Sequence, residues 1–422
     1  MSSAQSKSSA SKAALIRRYL IWQHRWTGLL MAVFLIVVGI TGSLLVYTVE
    51  IERIVNPQLF AKPHAGARQL EMGEIAERVE AAEPRVRVGY FFRDISDTVL
   101  VRIAARENPA TGKPYELAFD HVFVDPWTGA ILARRGGASL ARGKINFMPF
   151  IRSIHTDLTM GTPGALALGY VALAWTVDCF VGFYLTLPST RGDFWRRWGT
   201  AWWVKWRANA FRVNFDLHRA GGLWFWPLLF VFAWSSVRFE LMPVYDKVMR
   251  ACLPYQSAED FLRTVPIHRI EQPKLGWQAA ERRGMELMQR EAEKHHLRIL
   301  RAVSLAYIED FGVYSLGVQT DHDFRAMNPD SGVYVAGDTG ELRHLFLPRG
   351  PSGNTFTNLI VGLHFADFRG WQWYRFLEFV VGFVISMLSV TGVYIWWRKR
   401  KVRAIARRSE RLGADRHALA SE

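Results

Sequence analysis

The chain has 422 residues, half of them hydrophobic, yet its mean hydropathy is only +0.02, so apolar and polar residues must be sorted into separate stretches. A formal charge of +15 could serve nucleic acid, but the positive residues gather beside apolar runs, which points to anionic lipid and speaks against nucleic acid. Cys179 lies in an apolar run and Cys252 in a polar one, a placement that suits neither a disulfide nor a metal motif.

The first 21 residues are Ser-rich and basic, with Lys7, Lys12, Arg17 and Arg18. The apolar run behind them, 22–47, is too long for a signal-peptide core and reads as a retained first membrane span. Residues 48–162 are mixed in charge, with helical spacing over 70–83 and strand-like runs at 86–92, 98–104 and 117–124. A second span covers 163–187. A basic connection, 188–217, follows, and its stretch 188–215 carries Arg191, Arg196, Arg197, Lys205, Arg207 and Arg212 against Asp193 alone. The third span covers 218–242. Residues 243–370 form a second mixed segment, helical over 276–296, with strands near 299–308, 312–318 and 332–336. The fourth span covers 371–397, and the tail 398–422 begins with the basic run RKRKVR.

Four helical spans place all three basic flanks on one side of the membrane, the cytoplasmic side by the distribution of Lys and Arg. Both termini are then cytoplasmic, and the two long connections face the periplasm as small α+β domains. The fold class expected is a mainly α membrane protein.

The chain also repeats. HRWTGLL at His24 matches HRAGGLW at His218, VFVDPWTGAIL matches VYVAGDTGELR, and GFYL at Gly182 matches GVYI at Gly392. His155 and His364 fall at equivalent places before the second and fourth spans. Each half runs in, out and in again, so the halves are parallel repeats about an axis along the membrane normal. Four of twelve histidines thus form two layers: His24 and His218 near the cytoplasmic face, His155 and His364 near the periplasmic face. Two imidazoles facing across a gap in an apolar helical wall suit a six-coordinate b-type haem, one per layer. Metal binding or a structural role remains open to the same side chains. Gly28, Gly221 and Gly222 remove bulk beside the inner pair. Arg25, Arg219, Arg152 and Arg369 lie near the histidines, placed to pair with haem propionates. Asp178, in the inner half of the second span, could accept a proton or orient an inner histidine. No G-x-G-x-x-G follows a strand and there is no P-loop, so electrons would come from a quinol, a cytoplasmic reductase or a soluble reductant.

HRWTGLL, FDLHRAGGLW, HTDLTMG, LHFADFRG and TGVYIWWRKR together resemble the PepSY-associated transmembrane family, over nearly the whole chain after residue 15. VDPWTGAIL and GDTGELR resemble the strand-turns of PepSY domains, although the second unit departs from the first. The resemblance implies a bacterial iron-regulated inner-membrane protein, of the type in which some members are haem-carrying ferric-siderophore reductases. The expected activity is then transfer of single electrons across the bilayer to reduce Fe(III)-siderophore in the periplasm. The rival expectations are a haem-free protein that restrains a periplasmic protease and an iron or haem permease.

Reporters fused within 188–217 or at the C-terminus are expected to be active only in the cytoplasm. Activity at either place from a reporter that works solely in the periplasm overturns this topology.

Overall fold

The computed structural model describes residues 2–64, 66–92, 95–189, 192–256, 269–327, 330–347, 352–368 and 370–419. In chain order the longer helices are α1 (Ser2–Leu45), α2 (Met72–Ala82), α3 (Phe147–Asp157), α4 (Thr162–Thr186), α5 (Ala210–Trp224), α6 (Trp226–Glu240), α7 (Met242–Cys252), α8 (Trp277–Lys294), α9 (Gly353–His364) and α10 (Gln372–Leu419). The chain divides into a helical unit, Met1–Leu44, Ile154–Met242 and Phe376–Glu422, and a sheet unit, Leu45–Ser153 and Pro243–Arg375.

In the helical unit three helices are long and apolar enough to cross a membrane, over Lys12–Leu45, Thr162–Thr186 and Gln372–Ile405. The third span expected at 218–242 is not one straight rod. α5 and α6 meet the same test only together, and they are bent by 69° at Phe225. Pro227 accounts for the break, because its ring lacks an N–H and collides with the carbonyl one turn back. Gly221 and Gly222 weaken the helix just before it. Met31, Leu35, Cys179, Leu229, Ala233, Val381 and Ile385 form the unit's buried core, drawn from α1, α4, α6 and α10.

Two apolar helices gain little from hydrophobic burial in lipid, so they associate where small residues let backbones approach. α1 and α10 do so at Gly39 and Gly382. A Cβ on Gly39 would stand 2.5 Å from the Gly382 carbonyl oxygen, and Ser43 donates its hydroxyl to the Phe379 carbonyl at 2.9 Å.

The two mixed connections do not form two separate α+β domains. Their strands, β1 (Val86–Phe92), β2 (Val99–Ala105), β3 (His121–Val124), β4 (Ile131–Arg135), β5 (Ile299–Ile308), β6 (Val313–Thr320), β7 (Ser331–Ala336) and β8 (Leu342–Phe346), make one eight-stranded sheet. The order is β8-β7-β6-β5-β1-β2-β3-β4, and every neighbouring pair is antiparallel. β1 and β5 join the halves at Tyr90–Ala306, Phe91–Leu305 and Phe92–Ser304. A four-stranded half alone would leave an unpaired edge at β1 or β5, and each edge is closed by the other. One core follows, with Ile75, Val79, Phe91 and Val101 from the first half against Trp277, Met288, Leu305 and Leu316 from the second.

The same bonds recur in both halves. Asp125 N–H donates to Ala130 O and Gly129 N–H to Asp125 O, while Ala336 N–H donates to Glu341 O and Gly340 N–H to Ala336 O, all at 2.9 Å. Gly129 (φ 72°) and Gly340 (φ 71°) occupy the left-handed position that each turn requires. Arg78 on α2 donates to Thr128 O, and Arg283 on α8 donates to Gly340 O. VDPWTGA and VAGDTGE therefore fold alike. Their carboxylates differ: Asp338 in the second turn accepts from Lys274 N–H, and in the first, although partial burial pushes the Asp125 pKa up, the N–H groups of Trp127 and Thr128 and the Thr128 hydroxyl bring it below the usual value.

α2 and α8 meet at their N-termini and cap each other. Glu281 on α8 accepts from the Met72 and Gly73 N–H groups at 3.4 and 2.7 Å, and Glu77 on α2 accepts from the Gln278 N–H at 3.2 Å. Each carboxylate satisfies first-turn donors and meets the positive end of the other helix's dipole. The approach demands glycine at 73, where a Cβ would stand 2.7 Å from the Gln278 backbone. Gly73→Ala is expected to destabilise the sheet unit by about 1–3 kcal/mol through this collision. Glu281→Ala is expected to cost about 1–2 kcal/mol as a lost cap. Thermal unfolding of the detergent-purified chain checks both; a Gly73→Ala protein as stable as wild type removes the close-approach argument.

Candidate functional site

A cavity of about 500 Å³ opens in the helical unit among α1, α4, α5, α6 and α10. Arg17, Ile21, His24, Gly28, Met31 and Leu35 line it from α1, a stripe that recurs every three or four residues and so lies on one helix face. Asp178, Cys179 and Gly182 line it from α4, His218 and Gly222 from α5, Trp226 and Leu229 from α6, and Leu388, Gly392, Trp396 and Lys399 from α10. Most of the wall is apolar, while the charged side chains come from Arg17, Arg25, Asp178, Arg219 and Lys399.

His24 and His218 face each other in this cavity, with ring centres 6.2 Å apart and ring planes at 60°. Their tautomers follow from their partners. The Asp178 carboxylate lies 2.9 and 3.0 Å from His24 Nδ1, and an ionised carboxylate only accepts, so Nδ1–H donates to it. Leu388 O lies 3.0 Å from His218 Nδ1 and likewise can only accept. The Thr391 hydroxyl, also 3.0 Å away, spends its proton on Met387 O at 2.7 Å and is a second acceptor. Both imidazoles therefore carry their proton on Nδ1, which leaves the Nε2 lone pair for a metal.

A glycine supports each ring. A Cβ on Gly182 would stand 3.5 Å from His24 Cε1, and one on Gly392 would stand 3.2 Å from His218 Cε1. These two glycines sit in the matched GFYL and GVYI stretches. Gly28 and Gly222 instead border open space, with nothing within 4 Å of a Cβ, whereas a Cβ on Gly221 would pack against Met387 and Leu388. Gly28 and Gly222 thus leave room in the cavity, and Gly221 serves helix packing.

The arrangement fits an iron held between two imidazoles. A metal–nitrogen bond of about 2.0 Å on each side, with about 1.1 Å from nitrogen to ring centre, puts two axial rings roughly 6 Å apart. The observed separation matches that, and the apolar walls suit a macrocycle. Of the expected propionate partners, Arg25 lines the cavity. Arg219 lines it too but already donates to the Asp216 carboxylate at 2.8 Å and to Thr200 O at 2.9 Å. Lys399 and Arg17 were not singled out by sequence, because basic residues beside an apolar run read as topology signals. The heptad-like interval from Arg17 to His24 carried the missing clue.

His155 belongs to the helical unit, near the end of α3. Thr41 gives its hydroxyl proton to Val37 O at 2.7 Å, so the contact of 3.1 Å between Thr41 Oγ1 and His155 Nδ1 is donated by the imidazole. A Cβ on Gly42 would stand 3.0 Å from His155 Cε1, a third glycine against a histidine. Arg152 lies one turn earlier on α3, within the sheet unit. His364 also belongs to the sheet unit, as the last residue of α9. The chain beyond it is fixed by Asp367, which accepts from Arg325 Nε, Ala326 N and Met327 N at 3.2, 2.9 and 2.6 Å. Arg369 lies outside the described residues.

Gly392→Val is expected to drive a branched side chain into the His218 ring and cost about 1–3 kcal/mol. Gly28→Val, facing open space, should change stability by about 0.5 kcal/mol or less. Equal thermal shifts for the two variants would contradict the glycine–histidine contact.

The family model described as "PepSY-associated TM region" matches residues 21–399, whereas no curated protein matches the chain. That match includes all four of the repeat-matched histidines and nearly the entire length, and the chain belongs to the PepSY-associated transmembrane family.

Proposed function

We propose that this protein is a ferric-siderophore reductase of the bacterial inner membrane, carrying two b-type haems and moving single electrons across the bilayer into the periplasm. The observation that carries the reading is the His24–His218 pair: two rings 6.2 Å apart in an apolar cavity, each with Nδ1–H given away and Nε2 left for iron. Bound there, haem would supply a one-electron Fe(III)/Fe(II) couple within the hydrocarbon layer. His24 and His218 would hold the iron from its two faces, Gly182 and Gly392 would let their rings lie close to the helices, and Arg25 and Lys399 would offer cations to the propionates.

His155 and His364 are the proposed ligands of a second haem, a reading carried by the sequence repeat and by the Nδ1–H that His155 gives to Thr41. The substrate reading rests on the family resemblance together with iron chemistry. Hard oxygen ligands hold Fe(III) more firmly than Fe(II), so a one-electron reduction releases the metal. Electrons would enter from a quinol, a cytoplasmic reductase or a soluble reductant. Cytoplasmic termini, with the sheet unit in the periplasm, complete the proposal and follow from the placement of Lys and Arg.

The first test is the visible spectrum of the purified protein, in which the proposal requires a sharp Soret band and resolved α and β bands on reduction. His24→Ala or His218→Ala should lower haem from about two to about one per chain, and His155→Ala or His364→Ala should remove the other. Loss of haem from His295→Ala and His296→Ala, with the four variants unaffected, would refute the assignment. A haem-free wild-type protein would refute the function.

A further inference from the structure

His24 and His218 occupy matched places, yet what holds them differs in kind. His218 gives Nδ1–H to a backbone carbonyl and a hydroxyl, both neutral, whereas His24 gives it to the Asp178 carboxylate. The difference falls at matched positions, since Asp178 stands four residues before Gly182 and Leu388 four before Gly392. Asp178 is buried at 7 % exposure within an apolar helix, where an ionised carboxylate is expensive to keep. Its other contact is weak, a 3.5 Å approach from Gln23 Nε2, and among the described residues its ion-pair partner is His24. Merely tying α1 to α4 would need no charge, because a neutral carbonyl already does the equivalent service for His218.

What a carboxylate adds is electronic. By drawing on the Nδ1 proton it makes Nε2 a stronger donor, and a stronger axial donor favours ferric over ferrous iron. We propose that Asp178 is a positioning residue that both fixes His24 as an Nε2 ligand and lowers the reduction potential of the iron between His24 and His218. The carboxylate thus makes the His24–His218 iron more strongly reducing than a neutral acceptor on His24 would leave it. The inference rests on the haem reading above and deepens it by naming the group that tunes the iron between His24 and His218.

Asp178→Asn keeps the shape and an acceptor oxygen but removes the charge, so it separates the two roles. In a spectroelectrochemical titration of the haem-loaded protein, the variant should keep both haems. The component that His24→Ala abolishes should rise by about 59 mV, the equivalent of a tenfold weaker preference for the ferric state. Thr391→Val, which leaves Leu388 O as acceptor for His218, should move it far less. If Asp178→Asn holds haem too loosely to titrate, affinities of the haem-free protein for ferric and ferrous haem give the same answer. Ferric binding should then weaken about tenfold more than ferrous. A potential unchanged with haem content intact, or equal weakening of both states, reduces Asp178 to a structural tie and overturns the inference alone. A wild-type protein that takes up no haem overturns it together with the function on which it rests.

Discussion

The sheet unit depends on one reciprocal contact, the crossing of α2 and α8 at which each helix receives a carboxylate from the other. A helix N-terminus exposes donors that cannot be met internally, and burying two of them together is tolerable only if acceptors arrive with them. Glu281 and Glu77 are those acceptors, and Gly73 sets how closely they come. With that crossing in place, β1 and β5 lie side by side and pair, and Phe91 meets Trp277 edge to face at 5.7 Å. The single core is thus a consequence of helix-end electrostatics as much as of apolar area.

The helical unit obeys a related rule under harsher conditions. No water competes for polar groups in hydrocarbon, so each imidazole must place its proton somewhere definite. The acceptors are a carboxylate, a carbonyl with a hydroxyl, and a hydroxyl, for His24, His218 and His155 respectively. In all three the consequence is the same tautomer, and in all three a glycine lies beside the ring, close enough at Gly392 and Gly42 that a Cβ would press on it. A layer of interfacial histidines with no shared task would have no reason to repeat both features.

Much of this was legible in the residues, and the failures are instructive. Span lengths follow from hydrocarbon thickness, so apolar runs located both ends of α4, the end of α1 and the start of α10, while α1 begins and α10 continues well outside the apolar run. The bend at Phe225 escaped because Pro227 leaves an apolar run apolar while removing a backbone donor. Strand positions followed from alternation, as at 86–92 and 299–308. Their pairing did not, because nothing local in β1 states that its partner lies in the other connection. The repeat singled out His24 and His218, which line one cavity, and the cost of a carboxylate in an apolar helix singled out Asp178 beside them. Gly182 and Gly392 read as markers of the repeat, although both lie against a histidine ring and Gly392 is sterically required there, and Arg17 and Lys399 read as marks of topology although they also line the cavity.

The shared sheet also constrains how the protein is made. β1 leaves the ribosome long before β5, and its open edge has no partner until roughly 200 further residues are synthesised, about 10–40 s at ordinary translation rates. Throughout that interval the first half presents an unpaired strand bearing Phe91 and an incomplete core, which is the kind of edge that captures other chains. Biogenesis of this molecule therefore needs something to shield residues 86–92 while the next two spans are inserted. Slowing synthesis between 190 and 300 would raise aggregation even though no finished contact has changed.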